Sequence, residues 1–282
     1  RITKLLIYPY IIFLRTLNFF SKKISKNIEL ISIHYFNKLN IFYKFNDIFF
    51  DVSNKTLLLR SIRLLTKEKD TIWWIDNIFT KHNDTFLDIG ANMGSYSLYS
   101  ANKYHSLNIH AFEPESENYN ILCRNVKYND KNNQINTYNL AISNLNYLNK
   151  QKFLLSSNTP GKSGHNLNSI KSQNKFADTI SVLSTSIDYL VKIKILKKIS
   201  HVKIDVDGAE FKIIEGMRNT LLSRSVKSII IEFNGSKRKI NKYVSLICSF
   251  GYSQVKPPTI EQNNYFFLQD KYYKSKKHLF SQ

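Results

Sequence analysis

The feature that most constrains this chain is its rhythm beyond residue 84, where short apolar segments alternate with longer amphipathic ones. The apolar segments have the length and the β-branched content of buried strands, and the amphipathic ones have helical spacing. Such alternation predicts an α/β fold, in which a mostly parallel sheet has helices on both faces and an antiparallel hairpin at one edge. The predicted strands are residues 85–89, 108–112, 135–143, 201–206, 228–233, 252–255 and 265–268, and the predicted helices are 95–103, 116–128, 209–222 and 239–250.

The other segments are predicted to surround a single domain. A chain of 282 residues suffices for one large α/β domain with an appendage, and we predict the domain over residues 70–270. Residues 1–69 are predicted as an N-terminal helical and β extension that contacts a membrane or the acceptor. Residues 147–183, which are polar and rich in Ser and Asn, are predicted as an insertion that forms a hairpin or a lid. Residues 271–282 are predicted as a basic tail.

The net charge of +20 is concentrated at the two ends of the chain. Residues 1–69 carry 13 Lys and Arg against 4 Asp and Glu, and residues 236–282 carry 9 against 2, whereas the middle is nearly balanced. A groove for nucleic acid would place its cations around the working site, so nucleic acid is a disfavoured partner. Basic ends suit an anionic membrane surface or a phosphorylated molecule, and a solvated basic surface is the alternative.

The N-terminal region predicts contact with a membrane surface rather than a span. A run of ten apolar residues extends from Leu5 to Leu14, and about 20 are needed to cross a bilayer. Aromatic residues and lysines follow, so residues 1–26 are predicted as a peripheral anchor, with a helix packed on the domain as the alternative. The two cysteines, Cys123 and Cys248, exclude a disulfide scaffold and favour a cytoplasmic setting, at the inner membrane face if the anchor is used.

A glycine-containing turn follows the first strand of the domain. Asp88, Gly90, Asn92 and Gly94 lie where a doubly wound sheet binds its ligand, beyond the carboxyl ends of the strands. Their spacing differs from the Gly-x-Gly-x-x-Gly of dinucleotide enzymes. A carboxylate at Asp88 would repel a pyrophosphate and attract the ammonium group of an amino acid. The combination favours S-adenosylmethionine over NAD, and a purely structural turn is the alternative.

The ends of the next two strands supply the rest of the predicted cofactor site. Glu113 ends the second strand, where a carboxylate can accept both hydroxyls of a ribose. The alternative for Glu113 is an acid that interacts favourably with the dipole of the following helix. Ala141 lies near the end of the third strand, where an adenine base would rest.

The run from Lys203 to Glu210 is the most unusual segment of the chain, because ionisable residues interrupt an apolar strand. Ionisable residues in a buried strand are unfavourable unless they pair with an opposite charge or serve a function. We predict Lys203, Asp205 and Glu210 as catalytic residues, with a carboxylate as the base and Lys203 as an orienting cation. Asp205 also converges with Glu232 and Asn234, which end the next strand, and these hard oxygen donors predict a possible Mg²⁺ site.

Five motifs of this chain, in order, resemble those of FkbM-type methyltransferases. They are residues 88–94, 112–114, 185–188, 203–210 and 231–234. One departure is Asp207, where members of the family more often have Glu. The resemblance, which covers residues 70–270, implies a class I methyltransferase fold, Rossmann-like and seven-stranded, with S-adenosylmethionine as the cofactor. It also implies that the acceptor is a hydroxyl of a sugar or of a polyketide-like small molecule.

The predicted reaction is therefore methyl transfer to a hydroxyl of a sugar, a glycan or a related small molecule, lipid-linked or phosphorylated forms included. His165, in the insertion, is a second candidate base. An RNA methyltransferase is an alternative motivated by the pI of about 9.7, although the Asn-Pro-Pro-Tyr motif for exocyclic amines is missing. A non-catalytic binding protein is a further alternative, disfavoured by the presence of Asp88, Glu113 and Asp205.

Overall fold

A computed structural model gives the structure of most of this chain. It describes residues 42–45, 47–80, 83–155, 159–162, 166–167, 178–258 and 264–280. The anchor predicted within residues 1–26 and the candidate base His165 lie outside these ranges.

A hairpin and three helices precede the main sheet. Asp47 forms the turn of the hairpin with a φ of 63°. The side chain of Asn54 caps the first helix by accepting the amide of Leu57 at 3.0 Å. The elements are β1 (Phe42–Phe45), β2 (Ile48–Asp51), α1 (Lys55–Ile62), α2 (Leu64–Lys67) and α3 (Lys69–Ile78).

These N-terminal elements share a core with the domain that was predicted to begin at residue 70. Phe50 and Leu57 are fully buried in one hydrophobic cluster with Leu98 and Ile109 of the domain. The amide of Asp51 also donates to a side chain beyond the predicted boundary, at 2.7 Å from Asn125 Oδ1. The described part of the extension is therefore an integral part of the domain.

The rest of the chain alternates strands with helices, as the sequence predicts. The elements up to the insertion are β3 (Thr85–Ile89), α4 (Ser95–Lys103), β4 (Asn108–Phe112), α5 (Ser116–Tyr128), β5 (Ile135–Tyr138) and β6 (Ala141–Ile142). The insertion and its surroundings contribute β7 (Asn149–Leu155), β8 (Asn166–Leu167), β9 (Asp178–Thr185) and α6 (Ile187–Lys192). The last elements are β10 (His201–Ile204), α7 (Glu210–Gly216), α8 (Arg218–Leu222), β11 (Ser228–Glu232), α9 (Lys237–Ser249), β12 (Tyr252–Val255), β13 (Asn264–Gln269) and α10 (Asp270–Lys276), followed by a 3₁₀ turn (Lys277–Leu279).

Seven strands form the main sheet, in the spatial order β12-β13-β11-β10-β3-β4-β5. The five strands from β11 to β5 are parallel, and β13 and β12 complete the sheet as an antiparallel edge pair. Buried hydrophobic clusters cover both faces. The fold is that of a class I methyltransferase, with the predicted seven-stranded, mostly parallel sheet and edge hairpin.

The third predicted strand, residues 135–143, is wrong as a single element. The chain leaves the sheet after Tyr138, because Asn139 Nδ2 donates at 3.0 Å to the carbonyl oxygens of Glu113 and of Pro114. Ala141 then pairs with Ser184 in a second, four-stranded sheet ordered β6-β9-β7-β8. Within that sheet β7 and β9 form an antiparallel pair, so the predicted insertion contains a hairpin.

The residues predicted as a basic tail are also structured as far as residue 280. They form α10 and the 3₁₀ turn, and Tyr272 donates its hydroxyl to the carbonyl oxygen of Ile78 at 2.5 Å. Lys276 donates to the carbonyl oxygen of Asn77 at 3.0 Å. This segment therefore packs against the end of α3.

A buried polar cluster lies at the amino ends of the strands, opposite the predicted site. His201 contacts Ser228 Oγ through Nδ1 at 2.7 Å and Asp84 Oδ2 through Nε2 at 3.1 Å. Lys227 also donates to Asp84, at 2.6 Å. Burial lowers the pKa of His201, and all of Ser228, His201 and Asp84 are inaccessible to solvent. The cluster therefore satisfies buried polar groups and offers no nucleophile to a substrate.

Candidate active site

The candidate site lies at the carboxyl ends of β3 and β10, where the strand order reverses. After β3 the chain continues to β4 and β5 on one side, and it returns to β10 on the other. A crevice opens at such a reversal. Two cavities occupy it, and both are lined by Arg60, Gly90, Asn92 and Asp205.

The turn after β3 needs its first glycine to bring two strands together. Gly90 has a φ of +83°, and a Cβ on it would lie 1.9 Å from the carbonyl oxygen of Asp205. Gly94, which begins α4, also has a φ of +83°, but an added Cβ would meet Leu122 in the core. Gly94 lines neither cavity, so its role is helix packing and not the predicted approach to a ligand.

Glu113 faces the first cavity with hydrogen-bonding capacity to spare. Its Oε2 accepts the amide of Asn92 at 2.8 Å, and its Oε1 accepts the amide of Glu115 at 3.0 Å. Each carboxylate oxygen can accept a second hydrogen bond, which is what the two hydroxyls of a ribose require. Burial raises the pKa of Glu113 to about 7. The alternative role, an acid at the start of the next helix, is filled by Glu115 instead. Its carboxylate accepts the backbone amides of Glu117 and Asn118 at the start of α5.

Apolar residues line the same cavity as Glu113. Leu140, Ala141 and Ile142 line the first cavity at the point where the chain leaves the main sheet. Phe153, from the hairpin of the insertion, lines it as well. A carboxylate for a ribose beside an apolar surface for a base fits a nucleoside, so the residues present fit S-adenosylmethionine.

A short segment of the insertion borders the first cavity through Lys162. Asn92 Nδ2 donates to the carbonyl oxygen of Lys162 at 3.0 Å, and the amide of Gly161 donates to Asn118 Oδ1 at 2.7 Å. Arg60, on α1, donates through Nε to the carbonyl oxygen of Gly161. The turn after β3, the start of α5 and the N-terminal helix therefore hold residues 159–162 in place.

Asp88 lies behind the cavities rather than in them. It is fully buried, and Oδ2 accepts the hydroxyl of Ser97 at 2.7 Å. Asp88 and Lys203 are cross-strand neighbours in register, and Lys203 Nζ lies 4.0 Å from Asp88 Oδ1. Burial raises the pKa of Asp88. The prediction that Asp88 receives the ammonium group of the ligand is therefore not met by this geometry, since the carboxylate lines neither cavity.

Lys203 instead connects Asp88 with the cavities. Its Nζ donates to Asp205 Oδ2 at 2.8 Å and lies 5.0 Å from the ring centroid of Tyr96. Burial by itself lowers the pKa of Lys203, but the carboxylates of Asp205 and Asp88 outweigh it and leave that pKa raised. Lys203 is a permanent cation here, which agrees with its predicted orienting role and excludes a neutral lysine as the base.

Asp205 is the only carboxylate among the residues that line both cavities. Burial raises its pKa, but the charge and the hydrogen bond of Lys203, together with the hydrogen bond of Glu232, outweigh burial and hold that pKa below its usual range. Glu232 shares a hydrogen bond with Asp205, and burial together with the charge of Asp205 raises the pKa of Glu232. At neutral pH the pair therefore holds one proton, with the negative charge on Asp205.

Glu210 lines neither cavity, although its neighbour Ala209 lines the first. Its Oε1 accepts hydrogen bonds from the backbone amide of Gly208 at 2.9 Å and from the side-chain Nδ2 of Asn234 at 3.4 Å. Its Oε2 is buried and has no hydrogen-bond partner among the described residues. Burial raises the pKa of Glu210 to about 7. Glu210 thus secures the turn after β10, and its predicted catalytic role stays a prediction.

The donor set does not fit the predicted Mg²⁺ site. Asp205 is paired with Lys203 and shares a proton with Glu232, while Asn234 is turned toward Glu210. Across the part of the chain that the structure describes, no group of three or more His, Cys, Asp or Glu side chains could hold a metal ion. No step below is derived through a metal.

The sequence did not predict several residues of the site. Arg60, Glu68 and Tyr96 line the second cavity, and Phe153 and Lys162 line the first. Arg60 and Glu68 belong to the extension, for which the sequence offers no motif. Arg60 lies one turn before Arg63 on the same helix, and this basic spacing was the one signal available.

The sequence profile described as the Methyltransferase FkbM domain matches residues 88–253, more than half of the chain. This chain belongs to the FkbM methyltransferase family. The profile begins at Asp88 and includes Glu113, Lys203 and Asp205. The FkbM protein therefore contains a methyltransferase domain, and α1, which includes Arg60, lies outside the matched region.

One curated relative matches a short part of the FkbM protein. Methyltransferase sdnD from Sordaria araneosa is 42% identical over 62 residues, which cover 19% of this chain and 24% of that protein. The chain thus matches about a quarter of the length of this relative.

Solved structures of methyltransferases are similar to the FkbM protein at low sequence identity. A precorrin-6y C5,15-methyltransferase from Geobacter metallireducens is 14% identical, with 73% of this chain and 88% of that chain covered and a TM-score of 0.40. TrmK from M. capricolum, in complex with S-adenosylhomocysteine, is 16% identical, with 71% and 66% covered and a TM-score of 0.40. The METTL16 methyltransferase domain is 13% identical, with 85% and 89% covered and a TM-score of 0.45.

Within the described ranges, no helix has both the length and the apolar character that crossing a membrane requires.

Proposed function

We propose that this FkbM protein transfers a methyl group from S-adenosylmethionine to a hydroxyl of a sugar, a glycan or a related small molecule. The observation that carries the proposal is the position of Asp205, a carboxylate held between two adjacent cavities. The first cavity suits a nucleoside, and the second offers polar and charged groups to an acceptor.

Asp205 is placed to orient the acceptor and to take its proton. S-adenosylmethionine, when bound, supplies a methyl group on a positively charged sulfur. The hydroxyl of the acceptor donates a hydrogen bond to the ionised Asp205. A low pKa does not prevent Asp205 from acting as the base, since an alcohol oxygen becomes strongly acidic as it gains a methyl group. Lys203 fixes the carboxylate through its 2.8 Å hydrogen bond, and Glu232 holds the one proton that it shares with Asp205.

The other residues of the site position the reactants. Glu113 would hold the ribose, Ala141 would contact the base, and the backbone of Gly90 and Asn92 would border the amino acid part. Positioning supplies much of the acceleration when the leaving group is already good. Because Cys123 and Cys248 are unpaired thiols, we place the reaction in the cytoplasm. Contact with the inner membrane face through residues 1–26 stays a prediction.

The proposal is tested by replacing Asp205 while cofactor binding is measured separately. Asp205→Asn should lower kcat by about 100-fold or more and leave the Kd for S-adenosylhomocysteine within about threefold. Activity is measured by mass spectrometry of methyl ethers formed on a panel of sugars and sugar phosphates. The matched control is Asp178→Asn, an exposed carboxylate on β9. Unchanged turnover in Asp205→Asn would remove Asp205 from the chemistry.

If the acceptor is RNA instead, the same purified protein should give a different result. An RNA methyltransferase would be retained on immobilised RNA with a steep dependence on salt, and it would methylate RNA in preference to every sugar of the panel. That outcome would contradict the proposed acceptor class while leaving the methyltransferase assignment in place.

A further inference from the structure

The second cavity carries more positive charge than the proposed reaction uses. Lys203 and Asp205 neutralise each other at 2.8 Å, and Lys67 lies 3.3 Å from Glu68. The guanidinium groups of the two remaining cations, on Arg60 and Arg63, have no carboxylate partner among the described residues. The cavity therefore holds two uncompensated positive charges beside the proposed base.

Arg60 and Arg63 lie close together in sequence at the end of one helix. Arg60 is in the last turn of α1, and Arg63 is the residue that caps its end, three positions later. Residues at this spacing are neighbours on a helix surface, and like charges placed so are destabilising. An anion bound between them would remove this repulsion.

Arg60 is held in place for such a contact. Its Nε donates to the carbonyl oxygen of Gly161, and this bond leaves the terminal nitrogens of the guanidinium group available. Arg63 is exposed at the rim and has no side-chain hydrogen bond in the described part of the chain. Guanidinium groups bind phosphate and carboxylate through paired hydrogen bonds, which a lysine cannot match.

The amino acid part of S-adenosylmethionine does not account for this charge. That group is a zwitterion and brings no net charge, and Glu68 offers a carboxylate to its ammonium within the second cavity. The excess of two cations is matched by a group with a net negative charge. An acceptor that enters the second cavity supplies one if it carries a phosphate or a carboxylate.

We propose that Arg60 and Arg63 form a binding site for the anionic group, a phosphate or a carboxylate, of the hydroxyl-bearing acceptor. The inference rests on the proposed function, since it specifies the acceptor of the same reaction. The site is built by the N-terminal extension, outside the FkbM match over residues 88–253. Acceptor specificity in this enzyme therefore comes from a segment that the family domain does not contain.

The test uses inorganic phosphate, and acetate in a separate arm, as probes of the enzyme saturated with S-adenosylhomocysteine. Calorimetry should detect binding of one or both probes to the wild type. Arg63→Gln and Arg60→Gln should each weaken it about tenfold or more. The Kd for S-adenosylhomocysteine should stay unchanged in Arg63→Gln, because Arg63 lines only the second cavity, and this also shows that the variant folds. The control is Lys242→Gln, an exposed cation on α9 away from both cavities, which should bind the probe like the wild type.

A matched pair of acceptors provides the second readout. A sugar phosphate should be methylated with a kcat/KM about tenfold or more above that of the same sugar without phosphate, and Arg63→Gln should abolish the difference. The favoured probe, phosphate or acetate, identifies the anionic group.

Three outcomes would overturn the inference, and they are distinguishable. No probe binding to an enzyme that still binds S-adenosylhomocysteine would contradict the anion site and leave the proposed function intact. Weaker S-adenosylhomocysteine binding in Arg63→Gln would assign Arg63 to the carboxylate of the cofactor. A wild type that does not bind S-adenosylhomocysteine would contradict the proposed function itself.

Discussion

Lys203 Nζ lies 2.8 Å from Asp205 Oδ2, so one buried cation fixes the carboxylate that faces both cavities. The same ammonium group lies 4.0 Å from Asp88, its neighbour on β3. The register of the two parallel strands brings Asp88 and Lys203 side by side. The lysine therefore serves the stability of the sheet and the geometry of the site at once.

Replacing Lys203 should destabilise the protein strongly. Lys203→Met leaves the buried carboxylate of Asp88 without a cation, and breaking a buried pair in this way costs about 3–5 kcal/mol. The loss should be larger at pH 8 than at pH 6, because Asp88 without a cation is more stable in its protonated form. Urea denaturation at the two pH values measures the free energy of unfolding. Adding Asp88→Asn to Lys203→Met should restore part of the lost free energy of unfolding. A double variant whose loss equals the sum of the two single losses would contradict the coupling.

Cofactor affinity should depend on pH through Glu113. Burial raises the pKa of this carboxyl to about 7, so it is partly protonated in the free enzyme at neutral pH. If the ionised form accepts the ribose hydroxyls, the Kd for S-adenosylhomocysteine should rise as the pH falls from 8 to 6, by up to about tenfold per pH unit below the pKa. Glu113→Gln should bind more weakly and show little dependence on pH. A wild type with the same Kd at both ends of this range would separate Glu113 from the ribose.

Glu210 should limit stability at high pH. The unfolded chain releases this proton near pH 4.5, whereas the folded protein keeps it until about pH 7. Stability contributed by the protonated form is therefore lost as the pH rises between these values, by up to about 3 kcal/mol. Glu210→Gln should be more stable than the wild type at pH 8 and similar to it at pH 5 in thermal unfolding. A less stable variant at pH 8 would show that the ionised carboxylate is needed.

Removal of divalent cations should leave the activity unchanged. Asp205 is balanced by Lys203 and Glu232, and Asn234 donates to Glu210, so these groups are not free to bind a metal ion. Initial rates with and without EDTA, after dialysis against the chelator, measure this directly. Inactivation by EDTA that Mg²⁺ reverses would restore the metal site proposed from the sequence.

The sequence predicts the sheet better than it predicts the site. β3 and β4 have the predicted bounds because their residues are buried on both faces and leave a continuous apolar pattern. The third strand was placed wrongly, since the hydrogen bonds of Asn139 to the backbone of Glu113 and Pro114 are long-range and leave no periodic signal. Local pattern fixes the strands, whereas the turn out of the sheet depends on a tertiary contact.

For the site, the positions of the strand ends predict which residues come together, but they do not predict the direction of each side chain. Glu113 and Asp205 were placed in the crevice by topology alone, and they line it. Asp88 and Glu210 follow the same rule, yet one faces Lys203 and the other the turn at Gly208. Arg60 was missed because it reaches the crevice from a helix outside the alternating pattern.

The most direct test of the central claim is a calorimetric titration of S-adenosylhomocysteine into the folded protein. The account predicts binding of one molecule per chain to the wild type and its loss, or a weakening of about 100-fold, in Glu113→Ala. A correctly folded wild type that shows no binding, or a Glu113→Ala variant that binds as tightly as the wild type, would contradict it.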